Sequence, residues 1–231
     1  ISQVSIVTQR GDQTPYTNDV LSAIIASEDI DGDSISYGYQ WMSDGVLLGT
    51  NATLDGAYFQ TGDSITLIVT PNDGMADGIP MESGDVVVQN SPPEQPSVVI
   101  TPSIATAGVD NLTCTVSVAS VDYDGDTVYY SYEWSNLNSG IVQSVGPTTT
   151  MSNTLSSALT TGGVWTCQVT PFDTVASGPS GSSSIYLNTV PTISQVSIVT
   201  QRGDQTPYTN DVLSAIIASE DIDGDSISYG Y

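Results

Sequence analysis

The sequence predicts an all-β chain of tandem two-sheet sandwiches, on three observations. Short runs rich in β-branched and aromatic residues recur with Gly, Asp, Asn and Pro between them. No segment holds a helical apolar period long enough for a helix of three turns. The chain also repeats itself: residues 1–39 return unchanged at 193–231, an offset of 192.

Taken in order, "SQVSIVTQ", "VLSAIIAS", "SISYGYQWM", "SITLIVTP" and "DVVVQN" read as strands, and two short central strands near 46–48 and 57–60 bring the number to seven. A weaker repeat lies inside the 192-residue period. Asp29-Ile-Asp31-Gly-Asp33 aligns with Asp122-Tyr-Asp124-Gly-Asp126 at an offset of 93, which carries Tyr39-Gln-Trp41 onto Tyr132-Glu-Trp134. "SITLIVTPND" (64–73) then falls on "VWTCQVTPFD" (164–173) at an offset of 100, so seven extra residues are expected in loops. Each half closes on a strand, an Asn and a Pro-bearing connector: "VVVQNSPPEQP" (86–96) and "IYLNTVPT" (185–192). The expected domains are 1–92, 93–192 and a partial copy at 193–231. Seven short strands in about 100 residues is the size of a small sandwich.

The third copy stops ahead of its Trp, leaving edges and half a core unpaired. Either the sequence is a window on a longer periodic polymer, or another chain supplies the missing strands. The first residue, Ile1, already lies in an apparent strand, so the N-terminus is expected elsewhere and any export signal outside this stretch.

With 26 acidic residues, two Arg, no Lys and no His, the net charge is −24. Such a surface repels nucleic acid and anionic membranes, and divalent cations are its natural partners. No apolar run reaches the roughly 18 residues of a membrane span, so direct membrane insertion is not expected. Without His or Lys, general acid–base and nucleophilic catalysis lack their usual groups, and no enzyme is expected.

The two Cys, Cys114 and Cys167, align with Leu21 and Leu67, and Trp134 lies between them in sequence. Cys on the second strand, Trp on the third and Cys on the sixth resembles the immunoglobulin core, which implies a disulfide between the sheets; two free buried thiols are the alternative. The string Asp-x-Asp-Gly-Asp, Tyr-x-Trp, Val-Thr-Pro-x-Asp and Asn-x-x-Pro resembles the tandem Ig-like repeats of bacterial and archaeal surface proteins, among the cadherin-like and PKD-like sandwiches. It lacks the Trp-Asp-Phe-Gly-Asp-Gly of PKD domains and the Asp-x-Asn-Asn-Asp-x-x-Pro linker of cadherins. The resemblance implies an exported, cell-surface protein. The sequons at Asn51 and Asn111 fit that location as glycosylation candidates.

Alternate aspartates around a Gly on an irregular loop are able to turn several oxygens toward one calcium ion. In a sandwich the loop entering the seventh strand lies at the same end. The expected ligands are therefore Asp29, Asp31, Asp33 and Asp73 in the first domain, and Asp122, Asp124, Asp126 and Asp173 in the second. Glu28, Asn72 and Asp77 are possible additions in the first. The competing reading is a solvated turn in which each Asp caps local N–H groups.

The functional expectation is a structural segment of an extracellular filament or surface rod, stiffened by calcium and a disulfide, with copies of itself as partners. The alternative is the stalk of an adhesin whose ligand-binding domain lies elsewhere. A carbohydrate-binding module would need a flat exposed aromatic row, for which Tyr37, Tyr39, Tyr129, Tyr130 and Tyr132 are the candidates. Arg-Gly-Asp at 10–12 and 202–204 is the integrin tripeptide, but so short a motif recurs by chance and integrin binding is not expected.

Overall fold

In a computed structural model, residues 1–230 are described. Contacts divide them into two compact units: 1–95 with 120–128 and 171–179, and 96–119 with 129–170 and 180–231.

The strands of the first sandwich are β1 (Gln3–Thr8), β2 (Val20–Ala26), β3 (Ser36–Ser43), β4 (Val46–Gly49), β5 (Thr53–Asp55), β6 (Ser64–Asn72), β7 (Met81–Glu82) and β8 (Val86–Val87). One sheet orders β1-β2-β5; the other orders β4-β3-β6-β7, with β8 also paired to β6. β7 and β8 together make one interrupted last strand, so seven strand positions are filled. Alternation does the sorting. Val4, Ile6, Leu21, Trp41, Leu54, Ile65, Leu67 and Val69 turn inward and, with Phe59 and Val88, form a buried core. The short strand expected near 57–60 instead lies at 53–55. Residues 56–58 form a 3-10 turn capped by Asp55, whose side chain accepts the Ala57 N–H.

The second sandwich has β9 (Ser97–Thr101), β10 (Ala105–Thr106), β11 (Leu112–Val118), β12 (Tyr129–Asn136), β13 (Gly140–Thr148), β14 (Ser152–Leu155), β15 (Gly163–Phe172) and β16 (Gly181–Asn188). Its sheets order β14-β11-β9 and β10-β16-β15-β12-β13. β13 has nine residues against four in β4, so most of the seven extra residues lengthen a strand rather than a loop. Cys114 on β11 and Cys167 on β15 form a disulfide, and because these strands belong to different sheets the bridge ties the sheets together. Trp134 and Trp165 are fully buried in the same core. Leu21 on β2 and Leu67 on β6 hold the corresponding places in the first sandwich, both fully buried.

The remaining elements are β17 (Thr192–Thr200) and β18 (Leu213–Glu220), a two-stranded antiparallel hairpin. No helix of the described residues is long and apolar enough to cross a membrane.

Candidate functional site

The three Asp-x-Asp-Gly-Asp loops share one local geometry. In each, the first Asp uses Oδ1 to accept the N–H of the third and fifth residues: Asp29 from Asp31 and Asp33 at 2.9 and 3.1 Å, Asp122 from Asp124 and Asp126 at 2.9 and 3.2 Å, Asp221 from Asp223 and Asp225 at 2.9 and 3.3 Å. The Gly has positive φ in every copy, +83° at Gly32, +81° at Gly125 and +80° at Gly224, which is why only Gly sits there without strain. To this extent the loops are the self-capped turns of the competing reading.

The middle Asp behaves differently from copy to copy. In the first unit, Asp124 accepts the Ser91 N–H on Oδ2 at 2.6 Å and the Thr17 and Thr61 hydroxyls on Oδ1 at 2.6 Å each. Ser91 is the residue after Asn90 in the Pro-bearing connector, and it is buried. Its neighbour Asn90 donates from Nδ2 to Asp173 Oδ2 at 2.8 Å. Asp173 is itself buried and accepts the Val175 and Ala176 N–H groups on Oδ1 at 2.7 and 2.6 Å. Further along, Glu94 donates its N–H to Val121 O at 2.8 Å and accepts the Tyr123 hydroxyl at 2.8 Å. The connector passes so close over Gly178 that a Cβ there would lie 1.8 Å from Pro93 O. The acidic loop and Asp173 thus grip the connector at two side chains and line its backbone.

The second unit repeats the grip. Asp223 Oδ2 accepts both the N–H and the hydroxyl of Thr189, which follows Asn188 as Ser91 follows Asn90. The Thr189 donors hold the Asp223 carboxyl below its ordinary range, and the Tyr186 hydroxyl adds to them.

In the first loop Asp31 and Asp33 are exposed, and among the described residues neither carboxylate has a hydrogen-bond partner. Asp73 accepts the Met75 and Ala76 N–H groups at 2.7 Å each and lacks a counterpart of Asn90; these bonds lower its pKa. Asn72 donates to Asp77 at 2.7 Å, and Glu28 is exposed.

For metal binding, the geometry separates the copies. Asp122, Asp124 and Asp126 bring carboxylate oxygens within 4.8 Å of one another, as do Asp221, Asp223 and Asp225; among the described residues Asp29, Asp31 and Asp33 form no such group. Asp122 Oδ2 is buried without a hydrogen-bond partner. Burial pushes the Asp122 carboxyl up, Asp124 and Asp173 add repulsion, and the N–H groups of Asp126 and Asp124 only partly oppose this. Asp173 is lowered: burial would raise it, but the Ala176 and Val175 N–H groups and Asn90 outweigh that.

The Arg of the Arg-Gly-Asp tripeptide is engaged inside its own loop. Arg10 pairs with the buried Asp19 and with Asp12 at 3.1 Å, donates to Thr14 O at 2.8 Å, and lies 4.9 Å from the Tyr16 ring centre. Arg202 repeats this with Asp211 at 2.7 Å and Tyr208. Of the tyrosines considered as a platform, Tyr130 and Tyr132 are buried in the second core, and burial followed by Tyr130 raises Tyr132 to about 12. Asn51 and Asn111 are exposed; Asn111 Oδ1 accepts the Ser157 N–H at 2.7 Å.

Sequence reasoning missed the connector grip and the Arg10–Asp19 pair. The signal for the first was present: both connectors begin with Asn followed by a hydroxyl residue.

No family model matches the chain, and no curated protein matches it. Among solved structures it is similar to the FN1-FN3 domains of chicken CNTN1, at 12% identity over 92% of this chain and 84% of that one, TM-score 0.37. It is similar to the chicken interferon gamma receptor alpha chain, at 12% identity over 80% and 96%, TM-score 0.49. A two-domain fibronectin type-III segment of chicken tenascin matches at 10% identity over 80% and 97%, TM-score 0.41. At these scores the Ig-like sandwich assignment stands on the chain's own strand pairing, buried Trp residues and inter-sheet disulfide.

Proposed function

We propose that the chain is a non-catalytic structural segment of an extracellular filament or surface rod, of the kind built from repeated bacterial or archaeal surface modules. One observation carries this reading: the acidic loop grips an Asn-Ser or Asn-Thr connector twice in one chain, at Ser91 with Asp124 and at Thr189 with Asp223. A flexible tether would leave such backbone N–H groups to water. Here a carboxylate fixes them, which suits a load-bearing array. The disulfide suits an oxidising location. The same segment would serve equally as the stalk of an adhesin.

Calcium is the second element of the reading. The 122–126 and 221–225 loops are its best-supplied sites, since their carboxylates converge with no Lys or Arg among them. The buried Asp122 Oδ2 offers a free lone pair. Asp173 would contribute its charge.

Amide hydrogen exchange tests the grip. The Ser91 and Thr189 N–H groups are expected to exchange slowly, as strand amides do. Exchange at open-chain rates would refute the reading.

A further inference from the structure

The second sandwich carries an exposed apolar row that the first interrupts. On its five-stranded sheet Val164 of β15 lies opposite Tyr186 of β16, Leu137 donates its N–H to Val164 O at 3.1 Å, and Ile141 of β13 lies opposite Ser135 of β12. Trp134, Trp165 and Leu187 alternate with Ser135, Val164 and Tyr186 and fill the core, so the row is on the outer face. Tyr186, Val164, Leu137 and Ile141 are 53%, 38%, 81% and 61% exposed. The repeat offsets and the strand pairing put Val87, Ser64, Asp44 and Leu47 at the same four places in the first sandwich, where a hydroxyl and a carboxylate break the row. Val87 and Leu47 are 48% and 53% exposed with a complete sandwich after them in the chain, so these places stay exposed when a further sandwich follows. The surroundings of the row are uncharged as well. No charged residue lies between Glu133 and Asp173, and none between Asp173 and Arg202; Asp173 itself is buried.

We propose that this row is a lateral docking surface whose partner is a second copy of this chain, joined row to row about a two-fold axis. Four side chains this exposed make a patch on the order of a few hundred Å², and an apolar patch of that size within a polar rim marks an interaction site. Charge selects the occupant. Two chains of net charge −24 repel wherever their acidic surfaces meet, and the uncharged stretch around this row lets them approach without opposing carboxylates. A cationic partner would be drawn to the acidic loops instead. The Tyr186 end of the row has Asp223 at its hydroxyl. A two-fold axis lays that end on the Ile141 end of the copy, so the 221–225 loops of the two copies stay apart. A contact of this size is weak alone, and modules side by side in an array multiply it. The pairing rests on the array role proposed above, but it does not involve the connector, so slow exchange at Ser91 and Thr189 would survive its failure.

Sedimentation of the whole chain from micromolar to millimolar concentration tests the pairing, in chelator so that no divalent cation bridges the acidic loops. The weight-average mass is expected to rise toward that of a dimer. It should rise further at high salt, where repulsion between the acidic surfaces is screened. Leu137→Asp and Val164→Ser install the residues that the first sandwich carries at the same places. On an exposed face each should leave the melting temperature where it is. Leu137→Asp is expected to weaken association by about tenfold or more, because two carboxylates then enter the seam. Val164→Ser should weaken it less. Leu47→Asp, at the matching place of the first sandwich, should leave association as it was. Monomer at every concentration overturns the proposal. So do growth past a dimer, association that Leu137→Asp leaves intact, and association that Leu47→Asp weakens equally.

Discussion

The loops at 29–33 and 221–225 have the same five residues within the same 39-residue block, yet their middle aspartates do different things. Asp223 holds Thr189; Asp31 is exposed and holds nothing among the described residues. The loop at 122–126 differs in sequence at its second position and matches 221–225 in behaviour. Local sequence therefore writes the turn, through the first Asp and the Gly. What the middle Asp does is decided by whether an Asn-Ser or Asn-Thr connector lies against it. Convergence of the three carboxylates follows the same division, so the connector also sets how well each loop is shaped for a cation.

The largest expected effect comes from removing the acceptor. Asp124→Ala leaves the buried Ser91 N–H and the Thr17 hydroxyl without it, a loss of about 2–3 kcal/mol. The first unit should unfold at correspondingly lower urea, followed by exchange of the β2 and β6 amides. Asp31→Ala, at the matching place on an exposed loop, should leave the urea midpoint where it is. Equal effects would mean that the grip contributes nothing beyond the turn.

A second pair of identical sequences sharpens the contrast. Arg10→Ala strands the buried Asp19 in a loop that is part of a packed sandwich. Since the Arg is itself partly exposed, the expected cost is about 2 kcal/mol rather than the full value for a buried pair. Arg202→Ala removes the same lock from a hairpin whose apolar side chains are mostly exposed among the described residues. It should loosen that hairpin, seen as faster exchange of the β17 amides, without lowering the melting temperature of either sandwich.

Much of the fold was legible in the sequence because it rests on short-range signals. Period-two alternation placed β1, β2, β3 and β6, and the alignment of Cys114 and Cys167 with Leu21 and Leu67 identified two inward positions in each sandwich. The short strand β5 was misplaced because Asp55 caps a 3-10 turn where "AYFQ" reads as a strand. The candidate site was legible only in part. Its Asp residues announce themselves, but their partners are remote: Ser91 is 33 residues from Asp124, and Asn90 is 83 from Asp173. No local pattern encodes such a meeting. The recurrence of Asn with Ser or Thr ahead of Pro was the trace it left.

The smallest effect isolates Asp122, which belongs both to the turn and to the proposed cation site. Its carboxyl titrates above the ordinary value of 3.8 because burial, then Asp124 and Asp173, oppose its charge. The native state thus holds this proton more tightly than the unfolded chain. The group's contribution to stability is greatest below 3.8 and is lost as pH rises through the raised folded value. Asp173 runs the other way: its lowered carboxyl stabilises above 3.8, and that is lost as pH falls below it. At neutral pH Asp122→Asn removes the repelling charge while its side-chain oxygen still accepts the Asp124 and Asp126 N–H groups. In chelator it should stabilise the first unit by about a few tenths of a kcal/mol, discounted for solvent screening. Calcium should raise the melting temperature of the unaltered chain and raise that of Asp122→Asn less, because one converging oxygen now belongs to a neutral amide. If calcium raises both equally, the ion binds elsewhere and Asp122 serves the turn alone.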